Sequence, residues 1–220
     1  MEVNLLDSMG NDLSVVNAAR VSFGKRSDKF TDKDAGLIRY LARHKHKSPF
    51  NHVSLTFHLR MPLFVHAQFA KHEYIVTNTI SRRYVDEPPD FYDVKGWRER
   101  ASDKKQGSGH ELPESDQLAC DQVLSNVEQT ALYSYEWLLH LGVAPEQARM
   151  VLPQHTMTEC VSSGFLGAWA KFCRLRLQSD AQKEIHDLAV GIDAMACRVA
   201  PVAWAALMSE WGEADVPSDN

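Results

Sequence analysis

His52-Val53-Ser54-Leu55-Thr56-Phe57-His58-Leu59-Arg60 alternates without a break. Successive side chains of an extended chain point to opposite faces, so Val53, Leu55, Phe57 and Leu59 fall on one side and Ser54, Thr56 and His58 on the other. The stretch predicts a strand buried on one face. Pro62 follows and suits the first turn of a helix running to about Glu73. On such a helix Gln68, Lys71 and His72 share a face. Working outward, residues 1–7 read as a short strand and residues 12–22 and 32–44 as helices. Thr31 is placed to cap the second helix, and Leu37, Ile38 and Leu41 form its apolar stripe. A polar stretch at 96–116, rich in Lys, Ser, Gly and Glu, reads as a surface loop. Beyond it the pattern is helical at about 117–141, 145–151, 157–177, 180–198 and 201–211. A strand-bearing first half and a helical second half predict an α/β chain of the α+β type: a central antiparallel or mixed sheet flanked by helices. One domain is expected over residues 1–214, with a tail at 215–220.

The 220 residues suffice for one sizeable core, and the hydrophobic fraction of 44% is ordinary for a globular chain. A formal charge of −5 gives no basic footprint, so a nucleic-acid polymer is not an expected partner. No apolar run approaches the roughly 20 residues of a membrane span. The N-terminal MEVNLLDSMGNDLS lacks the basic start and apolar stretch of a signal peptide. These features predict a cytoplasmic protein without a membrane partner. The four cysteines, Cys120, Cys160, Cys173 and Cys197, show no paired spacing and read as free thiols in a reducing compartment.

The chemistry-bearing residues begin at Lys71-His72-Glu73-Tyr74 and continue through Thr77-Asn78-Thr79-Ile80-Ser81-Arg82-Arg83-Tyr84. A serine hydroxyl beside an arginine fork can grip a phosphate monoester through charge-assisted hydrogen bonds; the same residues also suit a solvated basic turn. Arg149 stands before Met150-Val151-Leu152-Pro153 as either a surface cation or a ligand clamp. Arg174 and Arg176 lie two apart at a helix end, so one can be solvated while the other turns inward. His44, His46 and His52 surround Lys47-Ser48-Pro49-Phe50. No carboxylate or cysteine accompanies them, so a pocket role is the better reading and no metal is expected. His58 and His66 read as surface residues. There is no GxSxG, Walker loop or GxGxxG, and no cysteine–histidine pair of recognisable spacing.

These residues resemble the flavin-dependent thymidylate synthases. That family's signature is an Arg-His-Arg triplet followed, after a spacer, by Ser. Further blocks resemble the family in order and spacing: Met9 to Ser14, Ala18 to Phe23, His46-Lys47-Ser48-Pro49-Phe50-Asn51-His52, Ala148-Arg149-Met150-Val151-Leu152-Pro153, and Leu175-Arg176 with Gln178 to Glu184. Together they cover about residues 8 to 190. The resemblance implies a homotetramer with active sites between subunits. It implies one-carbon transfer from methylenetetrahydrofolate to C5 of a pyrimidine deoxynucleotide monophosphate. In the family, FAD reduced by NADPH supplies the hydride and no cysteine attacks the ring. By position, Gln68, Lys71, Ser81, Arg83, Arg149 and Arg176 are implied to bind the nucleotide. Arg176 is implied to be catalytic, facing the pyrimidine edge and favouring its N3-deprotonated form. His46, Ser48, His72 and Glu73 are implied to line the flavin and folate region.

The chain departs from the family at several of these positions. Lys71 and Glu73 replace the two signature arginines, and Thr79 replaces an acidic residue. Phe165, Gly167 and Lys171 stand where the family presents Asn and Arg to the flavin. Substrate contacts are kept while flavin contacts are altered. The expectation is therefore that the carbon reaches C5 of dUMP or dCMP and is captured by water as a hydroxymethyl group. Glu73 could accept from a cytosine amino group or form a salt bridge to a neighbouring subunit. A weakly held flavin, Cys160 or Cys173 are candidates for activating C6. The alternatives are a conventional FAD- and NADPH-dependent thymidylate synthase making dTMP from dUMP, and a non-catalytic nucleotide-binding relative.

Overall fold

The strand predicted from alternation is the axis of the sheet. In the computed structural model, which describes residues 1–85, 87–101 and 107–210, it is β2, Ser54–Pro62. It pairs on one side with β1 (Glu2–Met9) and on the other with β6 (Met157–Phe165); β6 in turn pairs with β3 (Ile75–Thr79). The order is β1-β2-β6-β3, and every pairing is antiparallel. A second, two-stranded ribbon joins β4 (Arg98–Arg100) to β5 (Ser108–Glu111).

The helices are α1 (Asp12–Arg20), α2 (Asp32–Arg43), α3 (Leu63–Phe69), α4 (Glu114–His140), α5 (Pro145–Ala148), α6 (Leu166–Arg176), α7 (Lys183–Val199) and α8 (Pro201–Glu210). The predicted capping of α2 by Thr31 is a complete box, with the Asp34 side chain accepting from the Thr31 N–H at 2.8 Å. Leu55, Phe57, Leu59 and Met61 of β2 are buried beneath the helices, with Trp169, Phe172 and Phe69 above them. Phe57 meets the Trp169 ring edge-on at 4.9 Å, and the indole N–H donates to the Leu55 carbonyl at 3.2 Å. Burying each such side chain contributes about 1.5–3 kcal/mol. The other face of the sheet is mixed: Thr56 bonds to Ser163 at 2.8 Å and the half-buried His58 meets Glu159 at 3.0 Å, while Val76, Val161 and Phe165 are exposed. Gly10, at φ +81, lets the β1–α1 turn approach the His52 carbonyl, which a Cβ would meet at 2.6 Å.

Three expectations are corrected. Residues 157–177 are not one helix but strand β6 followed by helix α6. The inward residues of β6 are Thr158, Cys160, Ser162 and Gly164, so its alternation carries almost no hydrophobic signal. The helix after Pro62 stops at Phe69, and Lys71 and His72 lie in the turn beyond it, so they do not share a helical face with Gln68. The chain tightens there: the Lys71 N–H bonds to the Gln68 carbonyl, the His72 N–H to the Phe69 carbonyl, and Tyr74 takes a φ of 65°. The polar stretch at 96–116 holds the β4–β5 ribbon and the start of α4. The expected tail at 215–220 lies outside the described residues. Among those described, no helix is long and apolar enough to cross a membrane.

Candidate functional site

Two clusters of the expected site residues stand at the two ends of β3. At its C-terminal end, the chain leaves the sheet at Ile80 and turns through Ser81 to Tyr84. The Tyr84 N–H donates to the Ser81 carbonyl at 3.0 Å, and the Arg83 N–H reaches the Ser81 hydroxyl at 3.4 Å. Arg83 Nε donates to Glu146 Oε2 at 3.2 Å, and its guanidinium carbon lies 5.6 Å from the centre of the Tyr84 ring. Arg149, in the short turn after α5, donates from Nε to the carbonyl of the same Glu146 at 3.2 Å. Arg83 and Arg149, far apart in sequence, are therefore both tied to Glu146, with Ser81 bonded to the Arg83 main chain. Glu146 was not visible as a site residue in the sequence, because an exposed glutamate in a short helix matches no motif.

At the other end of β3 lies the turn that follows α3. Arg176, at the C-terminal end of α6, donates from Nε to His72 Nε2 at 3.0 Å. A ring nitrogen that accepts carries no proton, so His72 is neutral with its proton on Nδ1. Burial first, then the Arg176 and Lys171 cations, push its pKa down to about 4. The Phe172 ring packs edge-on against the imidazole at 4.8 Å and fixes its plane. Burial also lowers Arg176, which stays a cation. Gln68 donates to Gln182, which donates to Glu184 at 2.9 Å, and Arg98 closes the chain onto Glu184 at 2.6 Å. Burial works to raise the Glu184 carboxyl, but the bonds from Arg98 and Gln182 carry it below its ordinary value. Lys71 is exposed beside this cluster.

Glu73 and Lys171, two of the positions that depart from the family pattern, meet at 3.0 Å. Phe165 is exposed at the end of β6, and Gly167 is buried in the first turn of α6. The His46 and Ser48 segment leads toward this region. His46 closes the end of α2, its N–H bonding to the Leu41 carbonyl at 2.9 Å past a left-handed Lys45. Ser48 opens a tight turn to His52, and the Leu166 N–H then ties α6 to the Val53 carbonyl at 2.9 Å. Both His46 and Ser48 are exposed. Cys160 and Cys173 are buried, and burial raises both thiols, Cys173 well above its ordinary value. Neither presents a thiolate to a substrate.

The five residues of β3 separate the two clusters along the chain, about 16 Å at roughly 3.3 Å each.

A family model described as thymidylate synthase complementing protein matches residues 4–202. A flavin-dependent thymidylate synthase of Thermus thermophilus is 42% identical over 204 residues, covering 93% of this chain and 74% of that protein. The enzyme of the same name from Treponema denticola is 38% identical over 207 residues, covering 92% and 77%. Among solved structures, a UMP/dUMP methylase, PolB, from Streptomyces cacaoi with bound 5-Br dUMP superposes with a TM-score of 0.84. That pair is 31% identical, with 93% of each chain covered. The same methylase with 5-Br UMP gives 0.85 at 29% identity.

Proposed function

The chain belongs to the flavin-dependent thymidylate synthase family, and from that premise we propose that it transfers a one-carbon unit from methylenetetrahydrofolate to C5 of dUMP. The observation that carries this is the pair of arginine clusters. Ser81, Arg83 and Arg149 converge at one end of β3, and Arg176 is held on a neutral histidine at the other. The first suits a phosphate monoester. The second sets a fixed cation where a uracil edge can lose its N3 proton, which makes C5 more nucleophilic. Because the clusters lie apart, each nucleotide is bound by one cluster from each of two copies. An oligomer, with a homotetramer as the family form, supplies them.

Uracil is favoured over cytosine. Lys171 pairs with Glu73 within the same chain at 3.0 Å and competes with a cytosine amino group for that carboxylate. The solved relative with bound 5-Br dUMP is described as a UMP/dUMP methylase.

The family uses FAD and folate. At the positions through which it presents Asn and Arg to the flavin, this chain has an exposed phenyl ring, a buried glycine and an ion pair closed on itself. That set does not fit a flavin held in the family's manner, and no step is routed through one. It favours a hydroxymethyl product: C5 bonds to the folate methylene, the C5 proton leaves, tetrahydrofolate departs, and water adds to the exocyclic carbon. The names of the relatives favour a methyl product, which requires a hydride from NADPH through a flavin bound by other residues.

Purified protein incubated with dUMP and methylenetetrahydrofolate, with and without FAD and NADPH, separates these outcomes by product mass. A hydroxymethyl nucleotide without NADPH supports the first, and dTMP only with NADPH and FAD supports the second. Absence of any new nucleotide in every arm, with dUMP bound, would return the chain to a binding role.

A further inference from the structure

Arg83 and Arg149 come from separate segments, yet one residue holds both. Glu146 takes Arg83 through its carboxylate and Arg149 through its main-chain carbonyl, each at 3.2 Å. In both cases the donor is Nε. The terminal nitrogens of the two guanidinium groups make no hydrogen bond to the described residues. Two like charges drawn to one spot repel, and the Glu146 carboxylate lies against one of them and offsets that repulsion. Glu146 and Arg83 are each 52% exposed, so the pair is no part of the core.

The geometry points to Glu146 as a positioning residue for the phosphate cradle, holding Arg83 and Arg149 by their Nε edges so that the remaining N–H donors face one anion. This inference rests on the phosphate reading of the site. A guanidinium carries five N–H donors in a fixed planar fork, so one edge can be anchored while the rest engage a ligand. Anchoring removes rotamer freedom before the ligand arrives, and binding then loses less entropy. The contrary role, a carboxylate that occupies the place of the phosphate and competes with it, carries the opposite sign: its removal would tighten binding.

The test titrates the full-length protein with dUMP, and with deoxyuridine, which lacks the phosphate, by isothermal calorimetry. Glu146→Ala is expected to weaken dUMP binding about 3- to 10-fold while leaving deoxyuridine binding and the melting temperature where they were. Glu146→Gln keeps a carbonyl acceptor for Arg83 Nε and is expected to recover most of the loss. Equal or tighter dUMP binding by Glu146→Ala overturns the inference, and so does an equal loss for deoxyuridine. A parent protein that binds dUMP no better than deoxyuridine overturns the phosphate reading, and this inference with it.

Discussion

At the scale of single residues, the arginines of the site share one device: Arg83, Arg149 and Arg176 are each held by Nε. Their expected effects differ because their ligands differ. Arg83→Ala should weaken dUMP binding by about 1.5–3 kcal/mol, the value of one charged hydrogen bond; an unchanged dissociation constant would remove it from the site. Arg176→Ala should lower kcat more than binding, since its cation acts on charge that develops during the reaction. His72 adds a pH dependence. Its folded pKa of about 4 lies below the ordinary 6.5, so an unfolded chain takes up the proton first as pH falls. The folded state should therefore lose stability between pH 6.5 and about 4. His72→Gln should flatten that part of the curve in urea denaturation. A curve of unchanged slope would show that the histidine is not held neutral. His66, lowered by burial alone, acts in the same direction and is left intact by this substitution.

Elements show what the sequence makes readable. β2 was legible because its inward residues are Leu, Phe, Leu and Met, and a hydrophobic alternation has one interpretation. Its partner β6 was not, because Thr158, Cys160, Ser162 and Gly164 face inward instead. Ser162 is buried through a hydrogen bond to Thr77 at 2.9 Å, a long-range pairing that local pattern does not encode. The β-branched Thr158 and Val161 with Ser162-Ser163-Gly164 were the available hint against a helix. β3 was likewise hidden, because Thr77-Asn78-Thr79 is polar on both faces and carries no alternation. Ser81, Arg83 and Arg176 were proposed from motif positions, whereas the Glu73–Lys171 pair bridges the turn before β3 and the middle of α6 and required the fold. That pair also gives a prediction. Glu73→Arg with Lys171→Asn restores one signature arginine and an amide at a position where the family presents Asn and Arg to the flavin. The double variant should co-purify with more yellow flavin absorbance than the parent. No gain would locate the obstacle at Phe165 and Gly167 instead.

At the scale of the whole molecule, the proposed two-copy site makes function depend on assembly. In a symmetric homo-oligomer residue i of one subunit meets residue j of its neighbour, and the proposed site would take Arg149 from one copy and Arg176 from the next. Arg149→Ala and Arg176→Ala chains should each be nearly inactive alone. Co-expressed in equal amounts, they assemble at random. A site then receives an intact Arg149 half the time and, independently, an intact Arg176 half the time. Activity should return to about a quarter of the parent value, the product of those two chances in a symmetric oligomer. A site confined to one chain forbids this, since every chain in the mixture carries one defect. Activity of the co-expressed pair that stays at the level of the single variants would place both arginines in the same subunit's site.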